Sequence, residues 1–364
     1  MNSPAHIAWR RFRRHVPAMA GLCYLCLCLL LATGAYLLGT DDTRHANFQV
    51  LELAKRPPGT RAWLLLVPLT GQAGGGNWLT GYVQTVQPVA LADTASLALH
   101  GGYLRYVPLG GPPDSIAVAC LGEHAPPASL QELIDRHVVL RHYRLGTDSY
   151  GRDLLSRLLL GGRVSLSIGI SAVLISLVIG LLLGTLAGYL GGWVDGAIMW
   201  LVSVVWSVPT LLLALAVSFV LGKGFWQLML AIGVSMWVEV ARVVRGQILS
   251  VREQSFVEAA RALGYRSGRI MFRHILPNVF SPLIVIAVSN FGAAVLVESG
   301  LSFLGIGVEV PVPTWGRMIY EGYTYIVFEH GKWLAFFPGL ALVLLIVSIN
   351  LIGIGLRDAL DVKL

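Results

Sequence analysis

Charge is what this chain has least of. Only 13% of its 364 residues are Asp, Glu, Lys or Arg, against roughly 25% in an average soluble domain. Hydrophobic residues make up 55% and mean hydropathy is +0.69; this composition excludes an ordinary soluble enzyme and implies an integral membrane protein. No GxxxxGK[ST] phosphate loop occurs, so the chain is not expected to bind ATP itself. No nucleophile, base and acid can be assembled into a catalytic set, and no metal site is expected. Cysteine is scarce: Cys23, Cys26 and Cys28 share the first apolar run and Cys120 stands alone. The Cys23–Cys26 spacing lies inside a lipid-length helix without His or acidic partners, so neither a redox motif nor a disulfide framework is implied.

What charge there is sits beside membrane spans. The net charge of +7 would raise the question of nucleic acid in a soluble chain. Here Arg10, Arg11, Arg13 and Arg14 precede the first apolar run, Arg357 and Lys363 follow the last, and seven arginines (242, 245, 252, 261, 266, 269, 273) cluster before and within one polar island. This is the positive-inside pattern, and it excludes nucleic acid as the partner in favour of the lipid bilayer. Apolar runs at Val16–Leu38, Val164–Tyr189, Ala197–Leu221, Phe225–Leu249, Pro277–Phe303 and Trp333–Leu356 predict six transmembrane helices, each long enough to cross a hydrocarbon core of about 30 Å. Even parity puts both termini in the cytoplasm, and the arginine clusters agree.

Between the first two spans, residues 42–144 are expected to form an extracytoplasmic α+β domain. Prolines 57, 58, 68, 88, 108, 112, 113, 126 and 127 break them into short runs, of which 62–67, 81–86, 101–107 and 115–119 read as strands. Ser129 and Glu132 form a capping box before a helix with Leu130, Leu133, Ile134, His137 and Val138 on one stripe. Residues 145–166, with Asp148, Gly151, Arg152, Asp153, Arg157 and Arg163, predict an interfacial helix with internal ion pairs. The LGTD of 145–148 echoes 38–41.

Within the spans, Gly180, Gly184 and Gly188 line one face for close helix contact, either within this chain or on a partner. Pro209 should kink the third helix. Glu298 is placed at the outer interface and Glu239 near the cytoplasmic end of its helix, paired with Arg242; Pro209 and Glu298 are candidate pathway residues.

The polar island, Ser255–Asn278, should begin as a helix near Phe256, capped by Ser255 with Glu258 reaching back. Gly264 is expected as a left-handed C-terminal cap, Ser267 as the cap of a second short helix, and Pro277 in the first turn of the next span. Small alanines followed by a glycine turn give a thin flat side on which another protein can dock.

Three motifs carry a resemblance. Glu258, Ala259, Ala260, Gly264, Leu276 and Pro277 match the EAA loop of ABC-importer permeases, with His274 in place of an isoleucine and Ile275 beside it. Residues 145–166, LGTDSYGRDLLSRLLLGGRVSL, and 301–318, LSFLGIGVEVPVPTWGRM, resemble signatures of the oligopeptide/dipeptide branch of that family. The resemblance implies a type I ABC importer permease fold of the C-type subunit in a bacterial inner membrane. It divides the chain into residues 1–41 (cytoplasmic lead and first helix), the insertion at 42–144, and a core at 145–364 with the coupling loop at about 253–277. It further implies that Glu258, Ala259, Ala260, Arg261, Gly264, Leu276 and Pro277 meet an ATPase. The implied partners are a second permease subunit in a heterodimer, two cytoplasmic ATPase subunits that bind ATP and Mg, and an extracytoplasmic solute-binding protein; the chain itself would hold no cofactor. The rival readings are a membrane scaffold or sensor with a ligand-binding outer domain, and a self-contained secondary transporter, for which no convincing inverted repeat is found.

Overall fold

The computed structural model describes residues 4–69, 75–77, 80–121, 129–326 and 331–360; Pro126, Pro127 and Lys363 lie outside them. In chain order the helices are α1 (Pro4–Arg14), α2 (Val16–Thr33), α3 (Ala35–Leu38), α4 (Leu130–His137), α5 (Leu154–Leu190), α6 (Gly192–Trp206), α7 (Thr210–Leu221), α8 (Phe225–Arg252), α9 (Ser255–Ala262), α10 (Ser267–Ile270), α11 (Leu276–Phe303), α12 (Trp315–Tyr323) and α13 (Trp333–Leu360). The strands are β1 (Thr60–Pro68), β2 (Gly76–Asn77), β3 (Gly81–Tyr82), β4 (Val86–Ala90), β5 (Ala98–His100), β6 (Tyr103–Tyr106), β7 (Asp114–Ala117) and β8 (Val138–Tyr143). Contacts divide the chain into two compact units, one of residues 1–29, 164–309 and 340–364, the other of residues 30–163 and 310–339.

The first unit is helical. Among the described residues five helices are long and apolar enough to span a membrane, or six if α6 and α7 count as one. Those two meet at 93°, so the kink expected at Pro209 is a full break. Pro209 holds φ −54° and ψ 131° ahead of α7, an extended conformation that cannot continue α6 and a ring without an N–H to donate. Helix α8 is the central element: α7 and α11 pack on it, and its buried side is a series of small and β-branched residues that includes Ala231, Gly233, Ala241 and Val244. The glycine face of α5 is spent inside the chain. A Cβ at Gly180 would stand 2.4 Å from Val240, one at Gly184 2.5 Å from the Ala241 carbonyl, and one at Gly188 3.0 Å from the Arg245 carbonyl.

The second unit contains the α+β part. β1 is the middle of an antiparallel sheet ordered β4-β1-β8, with Leu64 opposite Ala90 and Val139. Strand alternation sends Ala62 and Leu64 into a core with Phe48, Val50, Leu53 and Tyr143, and Leu65 into a second core with Leu104, Val118 and Leu133. The strand predicted at 81–86 is interrupted after Tyr82, and β8, joined directly to α4, is a strand where the helical stripe was continued through Val138. Ser129 does cap α4, its hydroxyl accepting from the Glu132 amide at 3.3 Å. Residues 145–153 are not the expected interfacial helix. They fold as a turn closed by a Thr147–Asp153 bridge, and α5 starts at Leu154 and runs unbroken for 37 residues.

Candidate functional site: a polar segment, a buried ion network and a broken-helix cavity

The polar island forms three joined pieces, α9, α10 and a π turn at Met271–Ile275 that leads straight into α11. The expected capping box is absent. Helix α9 starts at Ser255 itself, with Gln254 in the cap position and no side-chain bond there. The Ser hydroxyl is thus already inside the first turn, one residue late for the reciprocal bonds. Ser267 is likewise the first residue of α10 instead of its cap.

The C-terminal expectation holds. Gly264 has φ +74°, its amide donates to the Arg261 carbonyl at 2.9 Å, and the Tyr265 amide donates to the Ala260 carbonyl at 3.2 Å. This is the paired bonding of a Schellman cap. No atom lies within 4 Å of a Cβ built at Gly264, so the glycine serves the left-handed conformation and not a close approach within this chain.

Val257 and Ala260 point inward, packing with Val240, Val244, Ile270 and Ile275. Ala260 is therefore unavailable as a docking residue. The outward side carries Phe256, Ala259 and Leu263, spaced to share one helical stripe, with Leu263 72% exposed. Glu258, Arg261, Gly264 and Pro277 are exposed and Leu276 is half-buried. Tyr265 stacks on His274 at 6.0 Å and under Arg269 at 4.6 Å, and the Tyr189 hydroxyl donates to the Ser267 carbonyl at 3.0 Å. Two of the seven clustered arginines are structural ties: Arg245 grips Asp195 with two bonds of 2.5 and 2.6 Å, and Arg252 donates to the Gly188 and Tyr189 carbonyls at 3.4 Å.

In the second unit Asp148, Gly151, Arg152, Asp153 and Arg157 of the 145–166 signature gather, buried, around the start of α5. Asp153 caps the helix, accepting from the Ser156 amide at 2.9 Å. Asp148 accepts from Arg152 Nε at 2.6 Å and faces Arg157 Nε at 3.2 Å. Glu321 on α12 lies 3.2 Å from Arg152, 3.7 Å from Arg157 and 3.1 Å from Arg317. Arg152 and Arg157 are each 1% exposed. Gly151 has φ +70° and a Cβ there would meet the Val50 carbonyl at 1.7 Å. Arg163 lies further along α5 and is half-buried.

The echoed LGTD at 38–41 joins the same structure. Thr40 donates to Asp153 at 2.8 Å, the Asp41 amide donates to Ser156 at 3.1 Å, and Asp41 accepts from the Thr43 and Phe48 amides at 2.9 Å. Burial pushes the Asp41 carboxyl above the usual carboxylate range, against the pull of these hydrogen bonds and of Arg141. Sequence reasoning missed Asp41 and Glu321; the repeat was the signal for the first, and nothing local marked the second.

Glu298 is fully buried, accepting from Ser165 at 2.9 Å and Ser302 at 2.8 Å, which ties α11 to α5. Glu239 differs from expectation in both place and partner. It lies at the middle of α8 and is exposed. Arg242 does not pair with it and stands 3.5 Å over the Trp206 ring. Glu239 opens instead on a cavity of about 230 Å³ walled by Trp206, Val208 and Thr210 at the α6–α7 break, with Ser235 and Leu296.

Residues 180–364 match the family described as the binding-protein-dependent transport system inner membrane component, and residues 3–58 match the N-terminal TM domain of oligopeptide transport permease C. The chain is 41% identical over 219 residues to the dipeptide transport system permease protein DppC of Alkalihalophilus pseudofirmus, covering 60% of this chain and 71% of the relative. It is 43% identical over 222 residues to the di/tripeptide transport system permease protein DppC of Pseudomonas aeruginosa (61% and 73%). It is 36% identical over 219 residues to the oligopeptide transport system permease protein OppC of Bacillus subtilis (60% and 71%).

Proposed function

The chain belongs to the inner membrane components of binding-protein-dependent transport systems, in their peptide-permease branch, and from that premise we propose that it is the C-type permease subunit of an ATP-driven importer of peptides or related small solutes. The observation that carries the coupling half of this reading is the exposed stripe of Phe256, Ala259 and Leu263 on α9, held rigidly by the inward packing of Val257 and Ala260. An apolar stripe among arginines suits insertion into a groove on a cytoplasmic ATPase. The cap at Gly264 and the π turn join this helix to α11 by a short ordered link, so closure of an ATPase pair would be passed to the spans as movement of packed helices.

In this reading the partners are a second permease subunit, two ATPase subunits that bind ATP and Mg, and an external solute-binding protein. The chain holds no cofactor. Both termini and the coupling segment face the cytoplasm, a placement the arginine distribution supports, and the α+β part within residues 42–144 lies outside. A scaffold or sensor role draws no support from the relatives, which are named as permeases.

The test uses the assembled transporter with Gly264→Leu and Gly264→Asn. Leu strains the left-handed position, at a cost of about 1–2 kcal/mol, while Asn tolerates it. Uptake and binding-protein-stimulated ATPase activity should fall in the Leu variant and persist in the Asn variant, with membrane insertion normal in both. Full coupling in the Leu variant would refute the docking assignment.

A further inference from the structure

Two features of the first unit converge on one place. The chain is broken at Ser207–Pro209, where α6 and α7 turn through 93°. Irregular backbone at membrane depth is tolerated where it is buried in protein or lines a water-filled cavity, and here Val208 and Thr210 form a cavity wall. The same cavity is lined by Glu239, at the middle of α8 and so roughly 20 Å from either end of that helix. An ionisable group at that depth belongs to a pathway or to an ion pair. Among the described residues Glu239 makes no ion pair. The three cations that follow it on its own helix are engaged with other groups, Arg242 with the Trp206 ring, Arg245 with Asp195 and Arg252 with the Gly188 and Tyr189 carbonyls. One turn before it on α8, the Ser235 hydroxyl donates to the Ala231 carbonyl at 2.7 Å.

We propose that Glu239 is a cargo-contacting residue of the translocation pathway, its carboxylate receiving the ammonium group of a peptide or amine-bearing solute in the cavity beside the α6–α7 break. The inference rests on the import reading above. A cavity of about 230 Å³ is smaller than sites that enclose a whole small molecule, about 300–1,000 Å³. It suits one end of a cargo whose remainder stays in the open pathway. A carboxylate with no cation partner among the described residues, in a cavity it shares with Thr210 and apolar side chains, selects a cationic head over an anionic or neutral one by charge-assisted hydrogen bonding. A passing cargo needs such a contact to be singular, because a fully satisfied cage would retain it.

The experiment uses the complete transporter in proteoliposomes with its binding protein, a dipeptide bearing a free amino terminus, and the variants Glu239→Gln and Glu239→Asp. Loss of the charge should lower dipeptide uptake tenfold or more, with Asp restoring most of it. Subunit co-purification and binding-protein-stimulated ATPase activity should stay within about twofold of wild type. Uptake by Glu239→Gln equal to wild type would overturn the assignment. Loss of co-purification in Glu239→Gln would also overturn it, because it would mean that Glu239 pairs with a cation of a partner subunit. Absence of dipeptide uptake by the wild-type complex would instead sink the import reading, and the assignment with it.

Discussion

Replacing Glu321 by Gln probes the buried network around the start of α5. Glu321 and Asp148 are the only carboxylates among the described residues paired with Arg152 and Arg157, and Glu321 also holds Arg317. At an effective dielectric of about 20, unit charges 3–4 Å apart attract by roughly 4–5 kcal/mol. Desolvation offsets much of that, and stripping one partner from a buried pair costs about 3–5 kcal/mol in practice. The Gln variant keeps the shape and removes the charge, leaving two almost fully buried guanidinium groups to share Asp148. The expected loss is therefore in that range for opening of the second unit. Proteolysis of the purified protein in detergent, under conditions where reclosing outruns cleavage, reads that opening directly. Cleavage within residues 30–163 should accelerate by roughly 10²- to 4 × 10³-fold. A rate within threefold of wild type would show that the network contributes little net stability, and the argument from burial would fail.

Two further substitutions separate steric from conformational demands on glycine. Gly151→Ala combines a positive φ with a direct clash against the Val50 carbonyl, whereas Gly110→Ala meets only the positive φ. Urea midpoints should show a loss of about 1–2 kcal/mol for Gly110→Ala and distinctly more for Gly151→Ala; equal losses would refute the close approach. Gly184→Leu should force α5 from α8, at a cost of about 1–3 kcal/mol or more, and lower the yield of monodisperse protein on size-exclusion chromatography. Gly196→Leu, with nothing within 4 Å, should not.

The spans were legible because lipid imposes a length and a composition on any helix that crosses it, and the sequence runs meet both. The left-handed cap at Gly264 and the N-cap at Ser129 were legible because each depends on a few adjacent residues. What escaped were features that depend on partners distant in the chain. Asp148, Arg152 and Arg157 read as internal ion pairs of an interfacial helix, and their burial went unforeseen because their second counter-charge, Glu321, comes from α12. Glu239 and Arg242 read as a helical pair because Trp206, from the helix before the break, cannot be foreseen as the competitor for the guanidinium. The capping box at Ser255 failed for a local reason: the pattern fixes a helix start only to within a residue, and here Gln254 occupies the cap position.

The sheet of the second unit has one further consequence. Its first and last strands are neighbours, with Thr60 opposite Tyr143, and the flanking chain is drawn together by the Gly59 amide bonding the Tyr143 carbonyl at 3.0 Å and the Lys55 amide bonding the Asp148 carbonyl at 2.9 Å. Entry and exit of residues 60–143 therefore stand side by side at a single stem. A segment with such a stem is a cassette: a lineage can acquire it, enlarge it or shed it through one splice point. The turn at 145–153 and the cap of α5 would keep their places, leaving elaboration of this segment and upkeep of the helical core free to evolve at different rates.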